Sequence, residues 1–529
     1  MFINRNLKKW TIKLIVLSAI CLFFSASFTY KPLYTSNQNC YFLPGYYNAG
    51  QGLANDWIAK NRATTMSAAP IFHKITYLTY RYLHPNFFYL FATFFYAIYI
   101  LCLIEIPFKF LNINKSKFLY YLCATVLILV HNTPLNNYIE KFSPILKPDL
   151  LYKGVATFYM LNNYFQPSTC NVLFLLSILF FLNKRYVYAV VIITLIVSIH
   201  PAVMSLGLSL GLSYIFIIYL EKKDWQYCLK LSVMAGLLVL PISIYSFIAM
   251  IPPSKEIYNQ VLNIHCLYRA SHHHDYRVWL DIGVFIKTGL IVVCLFFIRK
   301  SRFVFVVLIP FIFAFIGVLI YIITGNITIS FLMPWRVSIL IVPLSSAILI
   351  VGCLYYLLTK KILSDRYKHV LVFIASILLV IGSYYGITDT LKNLKQSISK
   401  NSIKYIMQKI RDDRSKGMCF LVPVKLQEFR LYTNTAVFID YKTPANDYLG
   451  FLEWYERLKL SESFYDSKDL VEALRSLKLI QKKSLITHVL VPRDHPVLKS
   501  DLLIPKYTND KYGAYKIRMG ADASGDLFK

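Results

Sequence analysis

Apolar runs long enough to cross a lipid bilayer recur along the first three quarters of the chain and limit what it can fold into. Only 16% of the 529 residues are charged, whereas 57% are hydrophobic. A soluble chain of this length would carry more charge. The sequence therefore predicts an α-helical polytopic membrane protein with about eleven transmembrane helices. The runs lie near residues 12–29, 86–106, 117–131, 170–183, 186–200, 202–220, 229–250, 279–298, 303–323, 336–358 and 368–387.

Lysine and arginine are concentrated in every second short connection between these runs. The connections read "KFLNINKSK", "NKR", "EKKDWQYCLK", "RKSR" and "TKKILSDRYK". The positive-inside rule then predicts a cytoplasmic N-terminus. The formal net charge of +30 follows from this topology and from contact with anionic membrane lipids. We expect no nucleic-acid partner, because no basic motif has nucleic-acid spacing.

The long connections fall on the opposite, outer face, where function is expected. Within a transmembrane domain of residues 1–387, these outer loops are residues 30–85, 132–169, 251–278 and 324–335. Residues 69–83 show helical spacing and are predicted to lie in the membrane interface. Residues 152–169 are predicted to form a short or re-entrant helix that ends before Pro167.

Residues 388–529 have a different composition, with more charge and with alternating strand and helix patterns. Short apolar segments at 418–424, 436–441 and 487–492 predict strands. Residues 448–460 and 467–480 have helical periodicity. We therefore predict a C-terminal extracytoplasmic α/β domain.

The first outer loop contains the stretch "GLANDWIAKN", in which Asp56 precedes Trp57. A carboxylate at this depth could bind a divalent metal such as Mg or Mn, or act as a general base. The alternative is a solvated turn or a helix cap. Glu140 and Asp149 of the second outer loop could complete a metal site. For each of them the alternative is a loop carboxylate paired with a lysine.

The third outer loop contains "LYRASHHHDYRVW", a dense group of basic side chains. Arg269, His272 and His273 could bind a phosphate, and the imidazoles could instead bind a metal. Three consecutive histidines point in different directions on a regular backbone, so they cannot easily share one ion. The alternative is an interfacial polar loop.

Arg336 follows Pro334 and Trp335 at the outer mouth of a predicted helix. A charge near the membrane interior usually has a partner, and a guanidinium can bind lipid phosphate in a bidentate manner. The alternative is a side chain that reaches to the headgroups. His200 lies at the outer end of its helix beside Pro201, where it could bind substrate or cap the helix.

Taken together, these segments resemble the glycosyltransferase C (GT-C) superfamily, and more specifically a group of bacterial multi-pass membrane proteins without an assigned activity. The resemblance rests on "LPGYYNAGQGLANDW", "NNYFQPST", "IHP", "RASHHHDYRVW", "PWRVS", "FRLYTNTAVFIDYKTP" and "LEWYERL". Asp56 matches the first-loop acid of the superfamily, which binds metal or takes the acceptor proton. Many members have two adjacent acids, whereas this chain has Asn55. The WWD-type motif of the oligosaccharyltransferases is absent.

The resemblance implies a glycosyltransferase at the outer face of a bacterial inner membrane. It would move a sugar from a polyprenyl-phosphate-linked donor to a lipid, glycan or protein acceptor. Arg336, and Arg269 with His272 or His273, would hold the phosphate, while Asp56 would activate the acceptor or bind metal. Trp57 and His200 would add further contacts to the substrate. One alternative is a lipid or glycan transporter or flippase, although few ionisable residues lie mid-span. The other is a non-catalytic membrane subunit whose tail domain binds a partner.

Overall fold

The computed structural model describes residues 2–113, 116–142, 148–360, 365–395, 400, 402–415 and 417–518. Part of the connection "TKKILSDRYK" and the end of the predicted tail domain lie outside these residues. The chain divides into two compact units. We call residues 1–31, 88–248 and 262–394 the membrane unit. Residues 32–87, 249–261 and 395–529 form the second, which we call the mixed unit.

Helices coincide with all eleven of the predicted apolar runs. Six helices of the described residues are long and apolar enough to cross a membrane, or seven if the bent pair Lys117–Val130 and Thr133–Phe142 is one span. Four further apolar helices are shorter, so the predicted number of eleven spans stays a prediction. The six long helices are Phe87–Phe110, Pro201–Lys222, Trp225–Ala249, Arg302–Thr324, Ile327–Thr359 and Tyr367–Leu394, and the four shorter ones are Leu14–Ser27, Pro167–Leu182, Tyr186–Ile199 and Ile282–Phe297.

The prediction of a helix within residues 152–169 is wrong. Residues 152–166 form no helix, and a 3-10 helix begins at Pro167 instead of ending before it. Proline suits the first position of a helix, because the N–H that it lacks would have no partner there. The Gln166 N–H donates to the Thr169 hydroxyl at 3.2 Å, and the Thr169 N–H donates to the Gln166 carbonyl oxygen at 2.9 Å, which together cap this start. Ala156 and Thr157 have left-handed backbone angles, with φ of 53° and 57°, that interrupt a helix.

The loop between the membrane helices at residues 249–282 contains several short helical turns. A π-helical turn at Ile264–Arg269 is followed by Ser271–His274 and Tyr276–Trp279. The Asp275 side chain accepts a hydrogen bond from the Arg277 N–H and so caps the last turn. These turns fix the direction of the histidines, which a disordered polar loop would not do.

The mixed unit contains a five-stranded sheet with strand order β2-β1-β3-β5-β4. The strands are β1 (Cys419–Leu421), β2 (Ala436–Val437), β3 (His488–Pro492), β4 (Leu503–Thr508) and β5 (Tyr512–Ile517). β1 pairs in parallel with β2 and β3, whereas β5 is antiparallel to β3 and β4. This sheet agrees with the predicted α/β character of the tail, although β4, β5 and the helix Ile403–Asp412 were not predicted.

Helices from all three chain segments accompany this sheet in the mixed unit. They are Gln38–Asn48, Trp57–Thr64, Pro70–Tyr82, Lys255–Asn263, Ile403–Asp412, Phe429–Thr433, Tyr448–Tyr465 and Leu470–Lys483. Ile406, Met407 and Ile410 of the amphipathic helix Ile403–Asp412 pack against Phe420 and Leu490 of the sheet. The unit that holds the tail therefore also includes most of the first outer loop.

Candidate functional site

Arg336 is held at the start of the buried helix Ser338–Thr359 by a sharp change of chain direction. The helix Ile327–Leu332 ends at Met333, which has a left-handed backbone with φ of 48°. Pro334 then begins the 3-10 turn Pro334–Val337, which leads directly into the long helix. Local backbone geometry thus fixes where the Arg336 side chain starts.

The Arg336 guanidinium is half-buried and has defined contacts in the membrane unit. Its Nη1 donates a hydrogen bond of 2.8 Å to the carbonyl oxygen of Ala202. Its Nη2 lies 3.4 Å from the sulfur of Met333. The guanidinium carbon is 4.4 Å from the centre of the Phe158 ring, a cation–π distance. The carbonyl and the thioether carry no formal charge, so these contacts orient the cation without neutralising it.

His273 stacks on the same Phe158 ring. The two ring centroids are 4.2 Å apart and the planes differ by 6°. Nδ1 of His273 lies 2.7 Å from the carbonyl oxygen of Ala156, so it donates its proton there. Burial, then the neighbouring His272 and Arg336, lower the pKa of His273 to about 3. His273 is therefore a neutral imidazole near neutral pH.

His274 fastens the histidine turn to the segment that leads to Arg336. Its Nδ1 donates to the carbonyl oxygen of Ser330 at 3.0 Å, and the Ser330 hydroxyl donates to the carbonyl oxygen of His274 at 2.7 Å. The Trp335 indole N–H donates to the carbonyl oxygen of His273 at 3.1 Å. Burial lowers the pKa of His274 to about 4, although its bond to Ser330 opposes that shift.

His200 is a second neutral imidazole near Arg336. Its Nδ1 lies 3.1 Å from Oδ1 of Asn171, and its pKa falls to about 3 because of burial and the positive charge of Arg336. Asn171 is completely buried, and its Nδ2 has no hydrogen-bond partner among the described protein atoms. A buried amide donor without a partner usually marks a bound water or ligand.

The structure thus brings together Arg336, His200 and His273, all of which the sequence had singled out. The His272 ring lies 4.0 Å from that of His273, and the positive charge of Arg269 acts on His274. Sequence reasoning missed the side chains that organise them: Phe158, Asn171 and Ser330. Asn171 lies two positions after Thr169, the last residue of "NNYFQPST", a stretch that already contributed to the resemblance.

In the second outer loop, Asp149 is a loop carboxylate paired with a lysine, which is the alternative that the sequence left open. Its carboxylate lies 3.0 Å from Nζ of Lys153. Glu140 is exposed on the helix Thr133–Phe142. Throughout the described ranges, no group of three or more His, Cys, Asp or Glu side chains could hold a metal ion. The expected Mg or Mn site stays a prediction, and we derive no step through a metal.

Asp56 lies in the mixed unit, where only 1% of its surface is exposed. Oδ1 accepts a hydrogen bond of 2.8 Å from the N–H of Ala59 and so caps the helix Trp57–Thr64. Oδ2 accepts from Nε of Arg430 at 2.7 Å and from the N–H of Val437 at 2.9 Å. Trp57 lies beneath the guanidinium of Arg457, at 4.3 Å. Catalysis by Asp56 or substrate binding by Trp57 stays a prediction.

The chain is similar in structure to ArnT from Cupriavidus metallidurans, in a crystal structure bound to undecaprenyl phosphate. The match covers 96% of this chain and 98% of that one, with a TM-score of 0.50 and 12% sequence identity. The chain shares its fold with this ArnT structure. Its several apolar helices indicate a membrane protein.

Sequence comparison adds one local match. Residues 401–461 match DUF6798, a domain of unknown function. No curated protein sequence matches the chain significantly. The matched residues lie in the mixed unit and include Arg430.

Proposed function

We propose that this protein is a glycosyltransferase that takes a sugar from a polyprenyl-phosphate-linked donor at the outer face of a bacterial inner membrane. The observation that carries the proposal is the GT-C-like fold shared with ArnT, whose crystal structure contains undecaprenyl phosphate. The same fold here places an arginine and two neutral histidines together in the membrane unit. These groups suit the recognition of a phosphate.

Arg336 is the phosphate-binding residue of this proposal. A guanidinium presents several N–H donors in a planar fork that matches phosphate oxygens, and its charge persists at every physiological pH. Its contacts with Ala202 and Phe158 hold it in place before a lipid arrives. Such preorganisation lowers the entropic cost of binding. Arg269 and His272 add positive potential and hydrogen-bond capacity from the adjoining turn.

Charge stabilisation of the leaving group would supply most of the rate. The bond between the anomeric carbon and the phosphate oxygen breaks, and polyprenyl phosphate leaves with both electrons. The acceptor hydroxyl forms the new glycosidic bond and passes its proton to the departing phosphate or to water. Negative charge grows on the phosphate during this step, and Arg336 in a partly dry site stabilises it. His200 and His273 are neutral and act as hydrogen-bond groups, not as charges.

The orientation of the protein in this proposal follows from the lysine- and arginine-rich short connections. The N-terminus is cytoplasmic, and the segments that carry Phe158, His273 and Arg336 face the periplasm. The acceptor is a lipid, a glycan or a protein. A cysteine placed at an exposed position of the loop before His273 is expected to react with a membrane-impermeant thiol reagent in intact spheroplasts.

The experiment is lipid identification followed by a transfer assay on the full-length protein. Mass spectrometry of lipid extracted from the purified protein should find polyprenyl phosphate or its glycosylated form. Arg336→Ala should lose this lipid, whereas Arg277→Ala should keep it, because the Arg277 side chain is 69% exposed and pairs with Asp275. In vesicles with a radiolabelled donor, sugar should be released with the unaltered protein and with Arg277→Ala, but not with Arg336→Ala. Equal lipid content in both variants would contradict the proposal.

A second candidate function is lipid binding without transfer, as in a non-catalytic subunit. It is favoured by the state of three acids in the outer loops. Asp56, Asp149 and Asp275 each form an ion pair with a lysine or arginine. None of them is thereby poised as a general base. Bound polyprenyl phosphate together with no sugar release from any offered donor would support this second function.

A further inference from the structure

Residues 51–65 of the first outer loop contact the DUF6798-matched part of the tail at several points between Gln51 and Arg62. The side-chain amide of Asn434 donates to the carbonyl oxygen of Gln51 at 2.6 Å. Gly52, with φ of +133°, approaches so closely that an added Cβ would lie 2.3 Å from Oδ1 of Asn434. Only glycine fits there, because it lacks the Cβ and tolerates this backbone angle.

The centre of this contact is a buried group of three charges. Arg430 contacts Asp56 of the first loop through Nε and Asp440 of its own segment through Nη1. The side chains of all three residues are at most 2% exposed. A buried guanidinium is stable beside carboxylates only if the remaining lone pairs of the carboxylate oxygens also accept hydrogen bonds. Asp56 meets this need, because its remaining bonds come from the N–H groups of Ala59 and Val437.

A second group of contacts lies one helical turn farther along. The Asn61 side chain donates to Asp447 at 2.6 Å and accepts from the N–H of Asn446 at 3.2 Å. Asn446 in turn donates to the carbonyl oxygen of Arg62 at 3.3 Å. Arg62 is buried, and its Nη1 donates to the carbonyl oxygen of Pro444 at 2.6 Å. These reciprocal bonds fix the register of the first-loop helix against the tail.

We infer that residues 402–461 form a segment-binding module whose ligand is residues 51–65 of the same chain, with Asp56 as its anchor. The ligand segment is a short helix with a buried aspartate, followed by tryptophan, at its N-terminal end. Asp56 is then a positioning residue that assembles the mixed unit. This inference is independent of the proposed function, because it concerns association of chain segments and not lipid binding.

The test uses the full-length protein with a specific protease site in place of residues 396–399. After cleavage in detergent, the tail should stay associated with the remainder of the unaltered protein during size-exclusion chromatography. Asp56→Asn keeps the shape of the side chain but removes its charge. In that variant and in Arg430→Gln, we expect the released fraction of tail to rise at least about tenfold. Asp56→Asn removes the ion pair that joins the first loop to the tail, and Arg430→Gln leaves the buried carboxylates of Asp56 and Asp440 without a cation.

The matched control is Asp413→Asn, which removes an exposed carboxylate of the same unit that pairs with Lys506. Its tail should be retained like that of the unaltered protein. Hydrogen exchange of the amides of residues 57–64 gives a second measurement, with fast exchange expected in Arg430→Gln. Release of the tail from the unaltered protein, or equal retention and equal exchange in all variants, would overturn the inference.

Discussion

Oδ2 of Asp56 lies 2.7 Å from Nε of Arg430, a residue 374 positions later in the sequence. Both side chains are buried, and Arg430 also pairs with Asp440. Two carboxylates on one guanidinium leave the group with a formal charge of about −1, which the N–H groups of Ala59 and Val437 help to stabilise. The first-loop acid is thus part of the architecture of the mixed unit.

Removal of the Arg430 charge should destabilise the mixed unit by about 3–5 kcal/mol, because the buried carboxylates of Asp56 and Asp440 then have no cation as a partner. Replacement of Asp56 by Leu and Arg430 by Met together should cost less than the sum of the two single changes. Hydrogen exchange of the β1 amides measures the local unfolding free energy. Additive effects of the two changes would show that the pair is not coupled.

Arg336→Lys should weaken binding of polyprenyl phosphate even though the charge is kept. Lysine lacks the planar fork and has three donors on a flexible stem, so it cannot reproduce both the bond to Ala202 and a bidentate phosphate contact. We expect a loss of at least about tenfold in affinity, which corresponds to one charge-assisted hydrogen bond. Titration with a short-chain polyprenyl phosphate measures it. Unchanged affinity would indicate that only the charge matters.

The buried histidines should make the membrane unit less stable in acid. The pKa of His200 is about 3 and that of His274 about 4 in the folded protein, below the value near 6.5 of an unfolded chain. The contribution of these neutral histidines to the free energy of unfolding is complete above about pH 6.5. It declines as the pH falls toward their pKa values in the folded protein. At about pH 5, each histidine should lower the free energy of unfolding by about 2 kcal/mol relative to its value above about pH 6.5. The thermal unfolding midpoint should fall accordingly, and less in His200→Gln than in the unaltered protein.

Gly154→Ala should destabilise the segment that carries Phe158. A Cβ at this position would lie 2.6 Å from Oγ of Ser338 and 2.9 Å from the backbone nitrogen of Ile339. Overpacking against backbone atoms costs about 1–3 kcal/mol. Gly211→Ala is the control, because its Cβ meets no atom within 4 Å and alanine favours a helix. Thermal unfolding should separate the two variants, and equal midpoints would refute the close contact.

The helices were predictable because length and continuous hydrophobicity are sufficient to define a membrane segment. Strands β4 and β5 could not be predicted from the sequence, and the structure shows why. β4 is an edge strand with largely exposed residues, and it contains Pro505 and Lys506, which are typical of protected edges. The turn signal between the two strands, with Asn509 bonded to the N–H of Tyr512, was the available indication.

The charged residues of the candidate site could be predicted from the sequence, but their arrangement could not. Arg336 and His273 attract notice because charge and imidazole are unusual beside apolar runs. Phe158 looks like any aromatic residue of a polar-aromatic loop until the structure shows two groups packed on its ring. The partner of Asp56 could not be identified either, since no local pattern links two residues on separate outer segments. Arg430 itself was marked only by resemblance, as part of the stretch 429–444.

Construction of the mixed unit from three distant segments has a consequence for how the protein is made. Translation proceeds at about 5–20 residues per second, so the 374 residues between Asp56 and Arg430 take tens of seconds to synthesise. During that time the first segment must wait in a hydrated, incomplete state while the helices after it enter the bilayer. A premature stop before Arg430 therefore deprives both ends of the chain of their shared core, and quality-control proteases should clear the product.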